Sequence, residues 1–203
     1  LVELDQTAFF PEEGGQKPDT GYIEDFPVLD VQIKGDIIVH ALPIDAMDSC
    51  QVGTTVHGEV DWNQRFDFMQ QHTGEHIVSG IVKKHFGYTN VGFHMEEDYV
   101  TVDFDGELNR EQLDMVETIA NESVYKNYNV KCWIPEEAEL INLDYRSKLE
   151  LTENVRIVTI EGYDVCACCA PHVKATGEIG IVKVLSSMRH RGGTRLQIIC
   201  GLD

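Results

Sequence analysis

With 203 residues and 42% apolar composition, the chain is long enough to bury a core and suits one large domain or two modest ones. No stretch approaches the roughly 20 continuous apolar residues that span a bilayer, and no basic-then-apolar leader opens the chain, which points to the cytoplasm and away from membranes. Thirty-five acidic against sixteen basic residues give a formal charge of -19, which opposes general affinity for a polyanion; only local patches such as Lys83-Lys84-His85, or Arg189-His190-Arg191 with Arg195, suit such contact.

The chain opens at Leu1 inside a strand-like pattern, so a few residues are expected to be missing and the chain is read as part of a longer protein. Its first sixty residues alternate β-rich runs with the turn signals Gly14-Gly15, Pro18-Asp19, Gly35-Asp36 and Gly53. Val28 to Ile33 and Ile37 to Leu42 predict a hairpin around Lys34-Gly35-Asp36, and Val56 to Val60 a further strand. From Asn63 the spacing turns helical, with Phe66, Met69, Ile77, Ile81 and Val82 for an apolar face and Gly87 past the last turn. A strand at Tyr99 to Asp105 precedes a second helix from Asn109, where Asn109 and Gln112 form a capping-box pair. Shorter helical pieces are expected at Glu136 to Leu140 and Asp144 to Leu149. Arg156 to Ile160 reads as a strand with a cysteine-rich loop after it. Gly180 to Leu185 and Arg195 to Cys200 read as a hairpin joined by a basic loop, Ser186 to Thr194. The predicted fold is α+β, with a small β-barrel-like module at residues 1–60 packed on a larger α+β zinc-binding domain at 61–203.

Of six cysteines, Cys50, Cys132 and Cys200 are scattered and expected to be buried thiols, while Cys166, Cys168 and Cys169 are clustered. Adjacent cysteines make a poor disulfide framework in a chain with no export signal, so metal binding is the stronger reading. His72 and His76 are four apart, on one face of the predicted helix, and can reach one ion. Cys166 to His172 adds thiolate and imidazole donors from a distant segment, the mixture zinc favours. The run does not have the C-x-x-C spacing of redox sites, and His72-Thr73-Gly74-Glu75-His76 does not match the H-E-x-x-H of metalloproteases.

His72-Thr73-Gly74-Glu75-His76 resembles the H-x-x-x-H of the alanyl-tRNA synthetase editing domain and of the free-standing alanyl-tRNA editing proteins called AlaX. Cys168-Cys169-Ala170-Pro171-His172-Val173 is similar to the family's C-x-x-x-H run, usually Cys-Gly-Gly-Thr-His-Val. The segment from Leu4 to Gln16, with Asp19-Thr20-Gly21 after it, resembles the family's glycine-rich strand and turn. Thr176 to Gly180 and Arg191 to Arg195 follow in the expected order. The family pattern differs at Glu12, Glu13, Glu75 and Ala170-Pro171.

The resemblance implies a zinc-dependent hydrolase that removes serine or glycine from mischarged tRNA for alanine, acting at the acceptor end. It also selects Cys168 among the clustered cysteines, giving the ligand set His72, His76, Cys168 and His172. Gln16, Thr7 and Glu75 are the candidate catalytic groups, and Gly14, Gly15, Arg191 and Arg195 the candidate substrate contacts. A homodimer formed through a further domain is compatible with this reading. Two alternatives stay open: a non-catalytic zinc module for tRNA binding or dimerisation, and an esterase or amidase acting on a small amino-acid conjugate.

Overall fold

Short β-rich runs broken by glycine and proline form, in the computed structural model, the strands β1 (Val2–Glu3), β2 (Gly21–Ile23), β3 (Phe26–Val28), β4 (Asp30–Lys34), β5 (Ile37–Ala41) and β6 (Gly58–Val60). The structure describes residues 1–96, 98–147 and 155–201. It divides into two compact units, Leu1–Phe68 and Met69–Asp203. In the first unit the predicted hairpin is present: Lys34 faces Ile37 across the two-residue turn Gly35-Asp36, with Gly35 at φ +65°, where glycine is favoured at the first central position. Val28 belongs instead to β3, which pairs with β2.

The barrel-like expectation is corrected. The strands form two separate three-stranded antiparallel sheets, ordered β1-β5-β4 and β3-β2-β6. Runs of two to five residues are too short for the tilt and stagger that close a barrel. Phe9, Ile23, Val28 and Val31 make the core of this unit, with Leu4, Ile38, Val56 and Val60 packed against it.

The long helix α1 (Trp62–Phe86) follows β6. Its sequence suggested a single apolar face, yet every residue from Met69 to Val82 is buried. Buried polar groups must find partners, and those of α1 do. Gln70 donates to the Glu178 carbonyl at 2.7 Å and Gln71 accepts from the Cys200 amide at 2.9 Å. Two glycines let neighbours close in. A Cβ on Gly74 would lie 2.2 Å from Cys200 Sγ, and one on Gly80 would lie 2.1 Å from the Tyr163 carbonyl oxygen. This close approach offsets the roughly 1 kcal/mol that glycine costs inside a helix.

The rest of the second unit comprises β7 (Asn90–Met95), β8 (Val100–Phe104), α2 (Arg110–Lys126), β9 (Val130–Trp133), α3 (Glu137–Leu140), β10 (Ile157–Ile160), β11 (Asp164–Ala167), β12 (Ile181–His190) and β13 (Gly193–Gly201). The predicted capping box of α2 is present, with Asn109 and Gln112 exchanging bonds of 2.9 Å. Strands β12-β13-β8-β7 make one antiparallel sheet and β11-β10-β9 another. The predicted basic loop is mostly strand: β12 runs to His190, and only Arg191-Gly192 turn. Both have positive φ, 47° and 84°, as a type I′ turn requires. Cys166, expected in a loop, lies on β11. Among the described residues, 144–147 are not helical; the remainder of the predicted Asp144 to Leu149 piece lies outside the described residues. No described helix is long and apolar enough to cross a membrane.

Candidate metal centre

The spacing of His72 and His76 on α1 brings their rings together, tilted by 55° with centroids 5.3 Å apart. The loop after β11 brings His172 against both, at 4.9 Å from His72 and 4.6 Å from His76. Cys168 completes the group. Its Sγ lies 3.4 Å from His172 Nε2 and 3.6 Å from His72 Nε2, and one donor atom from each of the four residues falls within 4.8 Å of the others. The three histidines are almost fully buried. Phe93 covers His72, ring centroids 4.8 Å apart. Of the neighbouring cysteines, Cys169 is exposed and Cys166 is buried, the latter grouped with His76 and Asp164.

Hydrogen bonds identify which nitrogen of His172 is free to bind. The Thr73 hydroxyl donates its proton to the Met69 carbonyl at 2.7 Å, so at 3.0 Å from His172 Nδ1 it must accept. His172 therefore carries its proton on Nδ1, and Nε2 presents a lone pair toward Cys168. The same hydroxyl accepts from the Val173 amide at 3.2 Å. Thr73, inside the His72-to-His76 run, thus fastens the cysteine loop to α1.

Electrostatics agree with a ligand set. Burial by itself would raise the Cys168 thiol, but the three imidazoles around it hold it far below its usual value as a thiolate. Burial pulls His172 down to about 3 against the opposing bond to Cys168, so it is neutral. Burial also lowers His76, but Asp164 and Cys168 outweigh it and raise this imidazole well above its usual value. One thiolate and three imidazoles within reach of a common point, buried and with the His172 tautomer constrained, fit a metal ion.

Sequence reasoning missed the supporting residues. Asp164 Oδ2 lies 3.0 Å from His76 Nδ1, with the ring N–H pointing off the direct line. Arg146 grips the same carboxylate from the other side, Nε to Oδ1 at 2.6 Å and one terminal nitrogen to Oδ2 at 2.8 Å. Arg156 donates to the carbonyls of Cys168 and Ala170 at 2.7 and 2.8 Å, bracing the loop. Two arginines and an aspartate scattered along a chain give no pattern; the unforeseen β11 carries Asp164 and takes a bridge from Arg146, and Arg156 stands just before β10.

The other candidate residues fall as follows. Glu75 is buried, its carboxylate accepting from Ser79 and from Asn90 at 2.5 Å. Arg195 forms a two-pronged pair with Asp103, both bonds 2.6 Å, while Arg191 is exposed at the β12–β13 turn. In the first unit, Gly14 and Gly15 form a turn at positive φ closed by reciprocal main-chain bonds between Glu13 and Gln16, and the Gln16 side chain is fully buried. His40 accepts a 2.8 Å bond from the Thr7 hydroxyl, because its other nitrogen faces the Val2 carbonyl.

Residues 155–196 match the family model described as threonyl and alanyl tRNA synthetase second additional domain, and residues 1–64 match that of class II (A) tRNA synthetases. Along 98% of its length the chain is 34% identical to an alanine–tRNA ligase of Ignicoccus hospitalis, covering 23% of that protein. It is also 34% identical to the alanyl-tRNA editing protein AlaX-L of Pyrococcus horikoshii, across 98% of this chain and 51% of the relative. The chain belongs to the alanyl-tRNA synthetase editing-domain family. A third member, the Xenopus laevis alanyl-tRNA editing protein Aarsd1-A, is 34% identical over 92% of the chain and 45% of its own length. The chain thus spans between about a quarter and about half of these curated family members. Apart from these matches, His72, His76, Cys168 and His172 come together as a buried His/Cys cluster in the second unit.

Proposed function

We propose that this editing-family chain is a zinc-dependent deacylase that removes serine or glycine from mischarged tRNA for alanine, with His72, His76, Cys168 and His172 holding the metal. The observation that carries the reading is the convergence of three imidazoles and one thiolate within 4.8 Å. Soft sulfur with nitrogen donors favours zinc over magnesium or calcium. When bound there, zinc supplies Lewis acidity toward a water or an ester carbonyl.

The chain's own residues do the positioning. Thr73 keeps the Nε2 of His172 unprotonated, and the imidazoles keep Cys168 a thiolate. Glu75, held by Ser79 and Asn90, is assigned to support the histidine run beside it. Thr7, Gly14, Gly15, Gln16, Arg191 and Arg195 are assigned to contact with the tRNA or its amino acid.

The test is deacylation of Ser-, Gly- and Ala-tRNA for alanine by the intact protein and by His76→Ala, with metal content measured in both. Hydrolysis of the mischarged species with zinc bound, and loss of both in the variant, is the expected result. Full activity in a metal-free variant overturns the reading. The -19 charge favours one competing reading, a small aminoacyl ester as substrate; turnover of free esters that added tRNA does not inhibit would establish it.

A further inference from the structure

We infer that Arg146 and Asp164 form a positioning pair that orients His76 for the metal and holds the ion in place. The inference rests on the metal-centre reading. Asp164 is buried, with only 2% of its side chain exposed, and a buried carboxylate persists only when paired. Arg146 supplies that pairing with a two-pronged grip. With two hydrogen bonds from one planar guanidinium, this is the arrangement in which Arg–carboxylate pairs are strongest.

The guanidinium is itself placed by the main chain. Arg146 makes a parallel bridge to Cys166; its amide donates to the Val165 carbonyl and its carbonyl accepts from the Ala167 amide, both at 2.8 Å. The segment therefore lies along the edge of β11, directly beside the strand that carries Asp164. Gripped by the guanidinium on one side, the Asp164 carboxylate faces His76 Nδ1 at 3.0 Å.

With Nδ1 facing this carboxylate, Nε2 is assigned as the nitrogen that binds the metal. Hydrogen bonding of a ligand imidazole to a carboxylate fixes its tautomer and strengthens it as a ligand, and removing such partners typically costs roughly 10- to 100-fold in metal affinity. Arg146 acts one step further out. Its side chain is 17% exposed on the wall of a cavity of about 520 Å³ that Lys83, Lys84, Tyr145 and Tyr163 also line, so replacing it leaves no sealed void.

The test is competition for zinc between a chelator and the intact protein, Asp164→Asn, Arg146→Gln and Arg146→Lys, with thermal unfolding of each metal-free protein to establish that it folds. Asp164→Asn is expected to weaken zinc binding by roughly 10- to 100-fold, Arg146→Gln by less, and Arg146→Lys to recover part of the loss because the charge remains. A merely structural role predicts lower unfolding temperatures with zinc affinity unchanged, and that result overturns the inference. If Asp164→Asn does not fold, the two Arg146 variants decide. If the intact protein binds no zinc, the metal-centre reading fails and takes this inference with it; an intact protein that binds zinc, with variants equal to it, removes the positioning role alone.

Discussion

Thr73 shows how much one hydroxyl does at this site. It donates to Met69 and accepts from both the His172 ring and the Val173 amide, so three elements of the site meet on one oxygen. Thr73→Val keeps the shape of the side chain but leaves two donors facing a methyl group. An unsatisfied buried donor costs about 1–3 kcal/mol, and His172 loses the partner that fixes its tautomer. Thr73→Val is therefore expected to lower the unfolding temperature and to weaken zinc binding by roughly tenfold or more, while Thr73→Ser, which keeps the oxygen, retains both. Chelator competition and calorimetry on the two variants check this; equal zinc affinity in Thr73→Val would show that the threonine supports the loop without tuning the ligand.

At the scale of elements, what the sequence disclosed depended on whether a local signal existed. The Asn109–Gln112 box and the Gly35-Asp36 turn are local chemistry, and both formed as read. The two histidines one turn apart and the distant Cys/His run are patterns visible without coordinates, while the choice of Cys168 among the three clustered cysteines came from the family resemblance. Arg146, Asp164 and Arg156 were not visible, because their roles arise only when β11 forms beside β10 and takes the Arg146 bridge along its edge. Strands β7 and β9 were missed: β7 carries glycine, histidine and methionine rather than alternating polarity, and β9 has lysine and an exposed cysteine among four residues. That cysteine, Cys132, also departs from the expected buried thiols, since only Cys200 of the scattered three is buried. The helix α1 was read as amphipathic when it is covered on all sides along the second unit, and Gly80 is part of the reason. A methyl there would strike the Tyr163 carbonyl and lie 2.9 Å from Asp164 Cβ. Backbone cannot yield as a side-chain tip can, so Gly80→Ala is expected to destabilise by about 1–3 kcal/mol from overpacking, beyond the roughly 1 kcal/mol that alanine gains in a helix. Because the strike falls beside Asp164, zinc affinity is expected to drop as well. Denaturant unfolding with a zinc titration checks both, and a more stable Gly80→Ala protein would show that β11 stands off from α1.

For the molecule as a whole, the proposed tRNA substrate must be reconciled with a formal charge of -19. Most cations with assigned partners are neutralised locally: Arg65 by Asp19, Arg146 by Asp164, Lys183 by Glu117, Arg189 by Glu107 and Arg195 by Asp103. Lys83 and Lys84 differ. Lys83 donates to the Thr89 hydroxyl at 3.0 Å and faces the Gly87 carbonyl, and Lys84 donates to the Gly162 carbonyl at 3.1 Å. Among the described residues these partners are neutral, so both charges remain available on the wall of the same cavity that Arg146 lines. Each phosphate that a lysine neutralises releases counterions and steepens the dependence of affinity on salt by nearly one unit of logarithmic slope. If these lysines meet the tRNA backbone, Lys83→Gln with Lys84→Gln is expected to weaken binding at low salt and to flatten the plot of log affinity against log salt by about 2. The chemical step on bound substrate should be unaffected, since neither lysine touches the metal group. Filter binding of tRNA for alanine across a salt series, with single-turnover deacylation beside it, separates the two effects. An unchanged slope would place the tRNA backbone elsewhere, with Arg191 at the β12–β13 turn the next cation to replace.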